Sequence, residues 1–266
     1  MDPAGLSRRR ALALVTTAGL TGLAGCASGG PSETSGVTTD STPTPSEPAT
    51  ATPATYPPGT SERGVERAQK LVEATRTALQ TNGYDVTTVL TTGSPANRVR
   101  QHLRSSLRQA RMRVTFDVPT ETNTVFVEDG TIYRQTMRGG TPQVTTQPLG
   151  DSFEEFHRSR DIVRMLGGSE TLGGILEVGN FRPTGTTTVR DRSVVAFDLA
   201  SVTTADIEGE VTTSRGSLSV APDGVVFDAS LEFEYATGDG THVYRNRFTI
   251  DELGTVTVAR PSWVET

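Results

Sequence analysis

The chain contains a single cysteine, Cys26, and its position constrains everything that follows. It stands directly after an apolar run that begins at about Ala11, and a stretch rich in Ser, Thr and Pro comes next. Without a second cysteine, the folded part of the chain has no disulfide within it. Its stability must therefore come from side-chain packing and hydrogen bonds.

The first 25 residues have the three parts of an export signal. Residues 8–10 are all arginine, residues 11–20 are weakly apolar, and small residues precede Cys26. The apolar run is shorter than the ~20 residues that a membrane-spanning helix needs. This combination resembles the signals of the twin-arginine route, with Arg8 and Arg9 as the arginine pair.

The tetrapeptide Leu23-Ala24-Gly25-Cys26 matches the lipobox, at which a signal peptidase cuts just before a lipid-bearing cysteine. The match implies that Cys26 carries a membrane lipid and is the first residue of the mature protein. The protein would then be extracytoplasmic and anchored to the outer face of the cell membrane. An ordinary cleaved signal peptide, or an uncleaved anchor, would explain the same apolar run without a lipid.

Residues 27–55 consist of Ser, Thr, Pro, Gly and Ala with three acidic residues and one larger aliphatic side chain, Val37. Such a segment cannot bury enough apolar surface to offset its chain entropy, so we expect it to be disordered. A flexible chain of this length has a root-mean-square reach of ~30 Å. The sequence therefore predicts an export signal (1–25), a lipidated cysteine with a tether (26–55) and a single folded domain (56–266).

The charge balance narrows the class of partner. The chain has 25 basic and 31 acidic side chains, and Lys70 is its only lysine. A mildly acidic protein does not favour nucleic acid, so we expect no nucleic-acid partner. The high ratio of arginine to lysine resembles secreted proteins of high-salt archaea, although codon bias alone would give the same ratio.

Hydrophobic periodicity predicts a long helix from Thr60 or Ser61 to about Gln80, and two short helices over Asp151–Leu166 and Thr171–Val178. Alternating patterns and turn signals predict the strands. These are Tyr84–Thr92, Arg108–Val118, 125–127, Thr131–Arg138, Gln143–Gln147, Phe181–Arg190, Val194–Leu199, Val211–Val220, Val225–Tyr235, Thr241–Ile250 and Thr255–Ala259. Short antiparallel hairpins of this kind build one large, curved sheet, so we predict an α+β fold.

The order of helix, strands, two short helices and more strands is similar to the half-barrel of the bacterial lipoprotein-carrier family, including the mycobacterial lipid-carrier lipoproteins. Residues Gly216–Gly224, a strand ending in a Pro-Asp-Gly turn, and Leu172–Val178 carry this resemblance. With its lipobox and stalk, the chain also resembles haloarchaeal lipoproteins of unknown function. The resemblance implies a curved antiparallel sheet that wraps one long and two short helices.

The same resemblance implies that an apolar ligand would lie between the concave face of the sheet and the helices. Such stripes of apolar residues would equally form a filled core, and the size of a cavity cannot be read from a sequence. The candidate lining residues are Met112, Val114, Phe116, Phe153, Phe156, Met165, Leu172, Leu176, Phe197, Leu231 and Phe233.

No residue pattern predicts a catalytic site. His102, His157 and His242 have no histidine or cysteine near them at the spacing of metal ligands. The sequence contains no nucleophile elbow, dinucleotide fingerprint or phosphate loop. We therefore predict a protein that is not an enzyme and that holds neither a metal nor a cofactor.

The densest group of basic residues lies before and within the predicted strand Arg108–Val118. It forms either a solvated face or a site for an anionic lipid headgroup or glycan. Its members are Arg98, Arg100, Arg104, Arg108, Arg111 and Arg113.

Two functions fit this sequence. The first is a membrane-anchored extracytoplasmic lipoprotein that binds or carries an apolar ligand, which predicts a cavity of several hundred Å³. The alternative is a structural or assembly lipoprotein of the cell envelope that binds a protein partner. It predicts a closed core and an exposed patch.

Overall fold

The computed structural model describes residues 55–158, 172–203, 209–238 and 240–264. Thr55–Thr266 forms one compact unit. The predictions for the export signal, Cys26, most of the tether and Met165 lie outside the described residues. Within the described ranges, no helix has both the length and the apolar character needed to cross a membrane.

Most of the described residues form strands, and all paired strands among them run antiparallel. Strands β1 (Thr60–Ser61) and β2 (Gly64–Val65) form a separate ribbon. The others are β3 (Gly83–Gly93), β4 (Arg98–Ser106), β5 (Arg111–Val118), β6 (Glu121–Glu128), β7 (Thr131–Arg138), β8 (Thr141–Pro148), β9 (Gly179–Val189), β10 (Arg192–Val202), β11 (Glu210–Val220), β12 (Val226–Thr237) and β13 (Gly240–Gly254).

These eleven strands form one open sheet in the order β8-β7-β6-β5-β4-β3-β13-β12-β11-β10-β9. The last strand, β13, pairs with β3 and β12 and so joins the two blocks of hairpins. Strands β8 and β9 form the two edges, so the sheet is not closed into a barrel.

Three hairpins depend on two-residue turns in the left-handed region of backbone conformation. The φ angles are +49° and +70° at Asp129-Gly130, +56° and +81° at Gly139-Gly140, and +49° and +61° at Arg190-Asp191. Turns of this kind match the right-handed twist of the strands that they connect. They set the register of β6 with β7, β7 with β8, and β9 with β10.

In the described ranges, three α-helices pack on one side of the sheet, which we call the concave face. They are α1 (Ala68–Thr81), α2 (Phe153–Arg158) and α3 (Leu172–Val178). The buried side of α1 carries Leu71, Val72, Thr75 and Leu79. Helix α1 contacts β3, β12 and α3, and α3 contacts β9, β12 and β13. The predicted α+β fold with one long and two short helices is confirmed.

The predicted start of the long helix is wrong, because α1 begins at Ala68 and not at Thr60 or Ser61. Residues 60–65 form the β1–β2 ribbon instead. Gly64 has a φ of +121°, and a Cβ atom there would lie 2.1 Å from the carbonyl oxygen of Phe181. This close approach of two backbones requires glycine and breaks the helical path.

Two strand predictions also need correction. The predicted strand Arg108–Val118 begins only at Arg111, because Ala110 lies in a turn with a φ of +49°, and β4 before it was not predicted. The predicted strand Thr255–Ala259 is an extended segment without strand pairing. Its Val256 and Val258 pack with Phe126 in a second apolar cluster. Since Phe126 alternates along β6 with residues of the concave face, this cluster lies on the opposite, outer face.

Candidate functional site

The concave face is apolar across neighbouring strands. Val86, Leu103, Val114 and Val125 are direct partners across β3, β4, β5 and β6. The first three belong to the main apolar cluster of the protein, and Val125 packs against it. Because direct partners in an antiparallel sheet share a face, this row fixes which side chains of each strand point toward the helices.

Burial on the concave face falls along β3, β4 and β5. At one end of these strands, Tyr84, Leu103 and Met112 are at most 1% exposed. Farther along the same three strands, and at Val125 on the neighbouring strand β6, the apolar side chains are only half-buried. We call this half-buried part of the concave face the open half. It comprises Leu90, Val99, Phe116, Val118 and Val125.

Three members of the open half lie outside the core. Leu90 and Val99 are direct partners on β3 and β4, and Val118 follows Phe116 on the same face of β5. None of these three belongs to either apolar cluster of the described residues. The concave face therefore presents apolar surface that the described part of the protein does not use in its own core.

The predicted lining residues differ in burial. Phe116, Phe153 and Phe156 are half-buried and pack against the main cluster, whereas the other described candidates are buried within it. Phe233 also stacks on Tyr244 with ring centroids 4.8 Å apart. The part of the concave face beneath the helices is thus filled. The buried candidates are Met112, Val114, Leu172, Leu176, Phe197, Leu231 and Phe233.

A polar cleft of about 330 Å³ adjoins the open half. It is lined by Glu121, Thr136, Arg138, Thr141 and Gln143 on β6, β7 and β8. Each of these residues lies on the same face of its strand as the open half, because Phe116 pairs directly with Asn123 and Asn123 with Thr136.

The polar groups of this cleft satisfy one another. Thr136 Oγ1 donates to Asn123 Oδ1 at 2.7 Å, and the amide of Asn123 donates to Glu121. Arg138 Nη2 lies 2.8 Å from Glu121 Oε2. The hydrogen bonds from Asn123 and Arg138 hold the pKa of Glu121 below its usual value, so its carboxylate stays ionised and balances Arg138. The cleft is polar but close to neutral.

A buried Ser–His pair, which sequence reasoning missed, lies beneath α2. Ser105 Oγ is 2.8 Å from His157 Nδ1, and His157 Nε2 is 3.1 Å from the carbonyl oxygen of Leu79. Because a carbonyl only accepts, Nε2 carries the proton and Nδ1 accepts from the Ser105 hydroxyl. Burial lowers the pKa of His157, so the imidazole is held neutral.

This pair has the partners of a nucleophilic site but not the access. Ser105 and His157 are both 0% exposed, so no substrate reaches the hydroxyl. The two hydrogen bonds instead tie α2 to β4 and to the end of α1. Ser105 and His157 are 52 positions apart in the sequence, so no local signal indicates the pairing.

The basic group predicted from the sequence is divided by the structure. Arg104 pairs with Asp85 at 2.9 Å, and Arg111 pairs with the buried Glu128. Arg98 and Arg100 lie on the outer face of β4, across β3 from arginines of β13. In the ranges that the structure describes, no group of three His, Cys, Asp or Glu side chains could hold a metal ion.

Comparison with known proteins gives a family and several distant structures. A family described as a family of unknown function, DUF7537, matches residues 10–266. No curated protein matches the sequence.

The chain is similar to the crystal structure of LprF from Mycobacterium bovis at 15% identity, over 75% of this chain and 99% of LprF, with a TM-score of 0.32. It is similar to a chain of the Pseudomonas aeruginosa MucA/MucB complex at 15% identity and a TM-score of 0.32, over 75% of this chain. This chain spans only 60% of the length of that one. An uncharacterised conserved protein from Thermus thermophilus matches at 10% identity, over 73% of this chain and 94% of its own, with a TM-score of 0.27.

Proposed function

Since the chain belongs to the DUF7537 family, whose function is unknown, we propose a function from its own geometry. The protein is a non-enzymatic, lipid-anchored, extracytoplasmic binding protein that holds an apolar molecule against the open half of its concave face. The observation that carries this proposal is the exposed part of Leu90, Val99 and Val118, which are apolar, lie together and do not belong to the core.

The arrangement favours a ligand with an apolar body and a polar, uncharged end. The apolar body would cover the open half, where Phe116 contributes an aromatic ring. On the neighbouring strand, Phe116 pairs directly with Asn123, and Asn123 pairs with Thr136 of the polar cleft. A volume of about 330 Å³ is at the lower end of the range of small-molecule sites. Because Glu121 and Arg138 neutralise each other, the cleft offers no net charge to a charged group.

The filled region beneath the helices limits the site. Met112 and Phe197 are 0% exposed and Leu172 is 2% exposed, so a ligand has no room there without displacing side chains. Cores are packed close to the density of organic crystals, and displacing such residues costs several kcal/mol. The proposed ligand therefore stays in the open half.

The anchoring part of the proposal depends on Leu23-Ala24-Gly25-Cys26 and on the arginine pair Arg8 and Arg9. A lipid on Cys26 and a tether with a reach of ~30 Å would keep the binding face close to the membrane without embedding it. Mass spectrometry of the native N-terminal peptide tests this part directly. A thioether-linked lipid on Cys26 is expected, and an unmodified cysteine or an uncleaved N-terminus would contradict it.

Binding of an apolar dye tests the site. Titration with Nile red should give a blue-shifted, saturable emission. A charge introduced by Phe116→Glu should weaken the affinity at least about tenfold, because a carboxylate must be desolvated beneath the dye. Thr115→Glu is the matched control, since Thr115 is the next residue of β5 and lies on the outer face. Equal dye affinity in the two variants, at equal resistance to urea, would refute the site.

A second candidate, assembly with another envelope protein, is favoured by β8. All eight residues of this edge strand are exposed, and Val144 is 46% exposed. Pro142 and Pro148 have no N–H to offer an added strand, and proline is a common device for protecting an edge. This strand is therefore better suited to a side-chain contact than to extension of the sheet.

A further inference from the structure

The outer face of the sheet carries four arginines around the middle strand β3. Val89 pairs with Arg100 on β4 and with Arg247 on β13. Thr91 pairs with Arg98 on β4 and with Arg245 on β13. Leu90, between Val89 and Thr91, belongs to the concave face, so these side chains point outward. We call Arg98, Arg100, Arg245 and Arg247 the arginine frame.

The spacing of strands fixes the size of the frame. Neighbouring strands lie ~4.8 Å apart and alternate residues of one strand ~6.6 Å apart, so the four Cα atoms outline a rectangle of about 10 by 7 Å. Thr91 is only 5% exposed although it lies on the outer face. Long arginine stems on either side explain this burial, because they cover neighbouring surface while their charged ends stay in water.

The charge of the frame is poorly compensated. Arg98, Arg100 and Arg247 make no ion pair with any described residue, whereas Arg245 lies 2.8 Å from Glu232. Glu232 is itself shared with Arg215 at 2.8 Å. Asp117 is the direct partner of Arg100 on β5 and offsets part of its charge, but the two side chains do not form an ion pair. Four like charges at this spacing repel one another, and a bound anion would relieve that repulsion.

We propose that the arginine frame docks the domain on a membrane surface through the phosphate groups of anionic lipids. Guanidinium groups bind phosphate with two parallel hydrogen bonds, so four of them grouped on the outer face can contact several headgroups of a lipid surface. The floor of the frame, Val89 and Thr91, contains no aromatic side chain. Protein interfaces usually depend on buried aromatic anchors, so a lipid surface fits this frame better than a protein partner.

The length of chain before the domain supports the same partner. If Cys26 carries the proposed lipid, a flexible tether of this length would give the start of the domain a root-mean-square distance of ~30 Å from its anchor. Such a tether gives an effective concentration in the millimolar range, so a weak contact suffices to orient the domain. The effective concentration given by the tether does not depend on salt. The long-range attraction between the arginines and an anionic surface does, because the Debye length falls from ~10 Å at 0.1 M salt to ~3 Å at 1 M.

Vesicle sedimentation tests the proposal with the unlipidated chain from residue 27. At ~0.1 M salt, it should bind vesicles of phosphatidylcholine with phosphatidylglycerol and not vesicles of phosphatidylcholine alone. Since each arginine near an anionic surface contributes about 1 kcal/mol, the triple variant Arg98→Gln, Arg100→Gln, Arg247→Gln should bind about 100-fold more weakly. The matched control replaces Arg67, Arg76 and Arg182 by Gln, which are exposed away from the frame and make no ion pair with a described residue. It should bind like the natural chain.

Three results would overturn the proposal. Equal weakening by the two triple variants would mean that net charge alone governs binding. Equal binding to neutral and anionic vesicles would remove the role of phosphate charge. Binding of soluble polyphosphate through the same arginines, without binding to anionic vesicles, would assign the frame to a soluble polyanion. Because the frame lies on the outer face, none of these results depends on the ligand proposed for the concave face.

Discussion

Lowering the pH should destabilise this protein through His157, whose imidazole lies on the buried side of α2. Burial lowers the pKa of His157 in the folded state, whereas in the unfolded chain it returns to its ordinary value near 6.5. Below pH ~6.5 the unfolded chain therefore binds a proton that the folded protein refuses. The stability contributed by neutral His157 is complete above that pH and is lost as the pH falls toward the lowered value.

The size of this effect is bounded by a single proton. The free energy of unfolding should fall by up to ~1.4 kcal/mol for each pH unit below about 6.5, until the folded protein is protonated as well. The hydrogen bonds set a second magnitude. Replacing His157 by Phe leaves the Ser105 hydroxyl and the Leu79 carbonyl buried without this partner, at ~1–3 kcal/mol each. His157→Gln should cost less, because an amide can both donate and accept.

Urea unfolding at several pH values between 7.5 and 5 measures both terms. Trp263 is the only tryptophan of the chain and packs against the outer-face cluster, so its fluorescence reports unfolding. Carboxylates also titrate in this range, so the informative quantity is the difference in the free energy of unfolding between the natural protein and His157→Gln. That difference should shrink as the pH falls, because only the natural protein loses the stability of its neutral imidazole. The same pH dependence in both proteins would refute this reasoning.

Two further predictions concern buried polar groups. Thr75→Val should lower the free energy of unfolding, measured in urea, by ~1–3 kcal/mol, because the Val226 N–H donates to Thr75 Oγ1 at 3.0 Å and would lose its buried acceptor. The exposed control Thr81→Val should change this free energy by less than ~0.5 kcal/mol. Equal effects of the two substitutions would contradict a role for the Thr75 hydrogen bond. Glu128→Gln should lower the free energy of unfolding by ~1–2 kcal/mol, less than the loss of a fully buried pair, because its partners Arg111 and Arg260 are partly exposed. Since Arg260 precedes Trp263 in the C-terminal segment, loss of its ion pair should also shift Trp263 emission to longer wavelength. Unchanged stability and emission would show that Glu128 does not hold the C-terminal segment.

The strands could be predicted wherever one face of the sheet is apolar and a turn follows. The pair Asp129-Gly130 marks a hairpin because both residues accept a positive φ, and the structure has that hairpin. Strand β4 was harder to find, since Arg98, Arg100, His102 and Arg104 alternate with a weakly apolar face. The same alternation misled at Val256 and Val258. Their period of two reflects burial on the outer face, and periodicity cannot show whether an extended segment is hydrogen-bonded to a sheet.

The candidate site could be predicted only as a set of apolar residues. Alternation placed Met112, Val114 and Phe116 on one face of β5, and they do share that face. What separates buried Met112 from half-buried Phe116 is the position of the helices along the strand, which no local pattern contains. The arginine frame could not be predicted for a similar reason, because Arg98 and Arg245 come to flank Thr91 only when the last strand pairs with β3.

Native mass spectrometry shows directly whether an apolar molecule is bound to the open half. The sample is the chain from residue 27, secreted from its own host behind an unlipidated export signal and purified without detergent. We expect a stoichiometric apolar molecule that is retained by Thr115→Glu and lost from Phe116→Glu. A bare protein mass in the natural chain, or a molecule that remains bound in Phe116→Glu, would contradict ligand binding on the open half of the concave face.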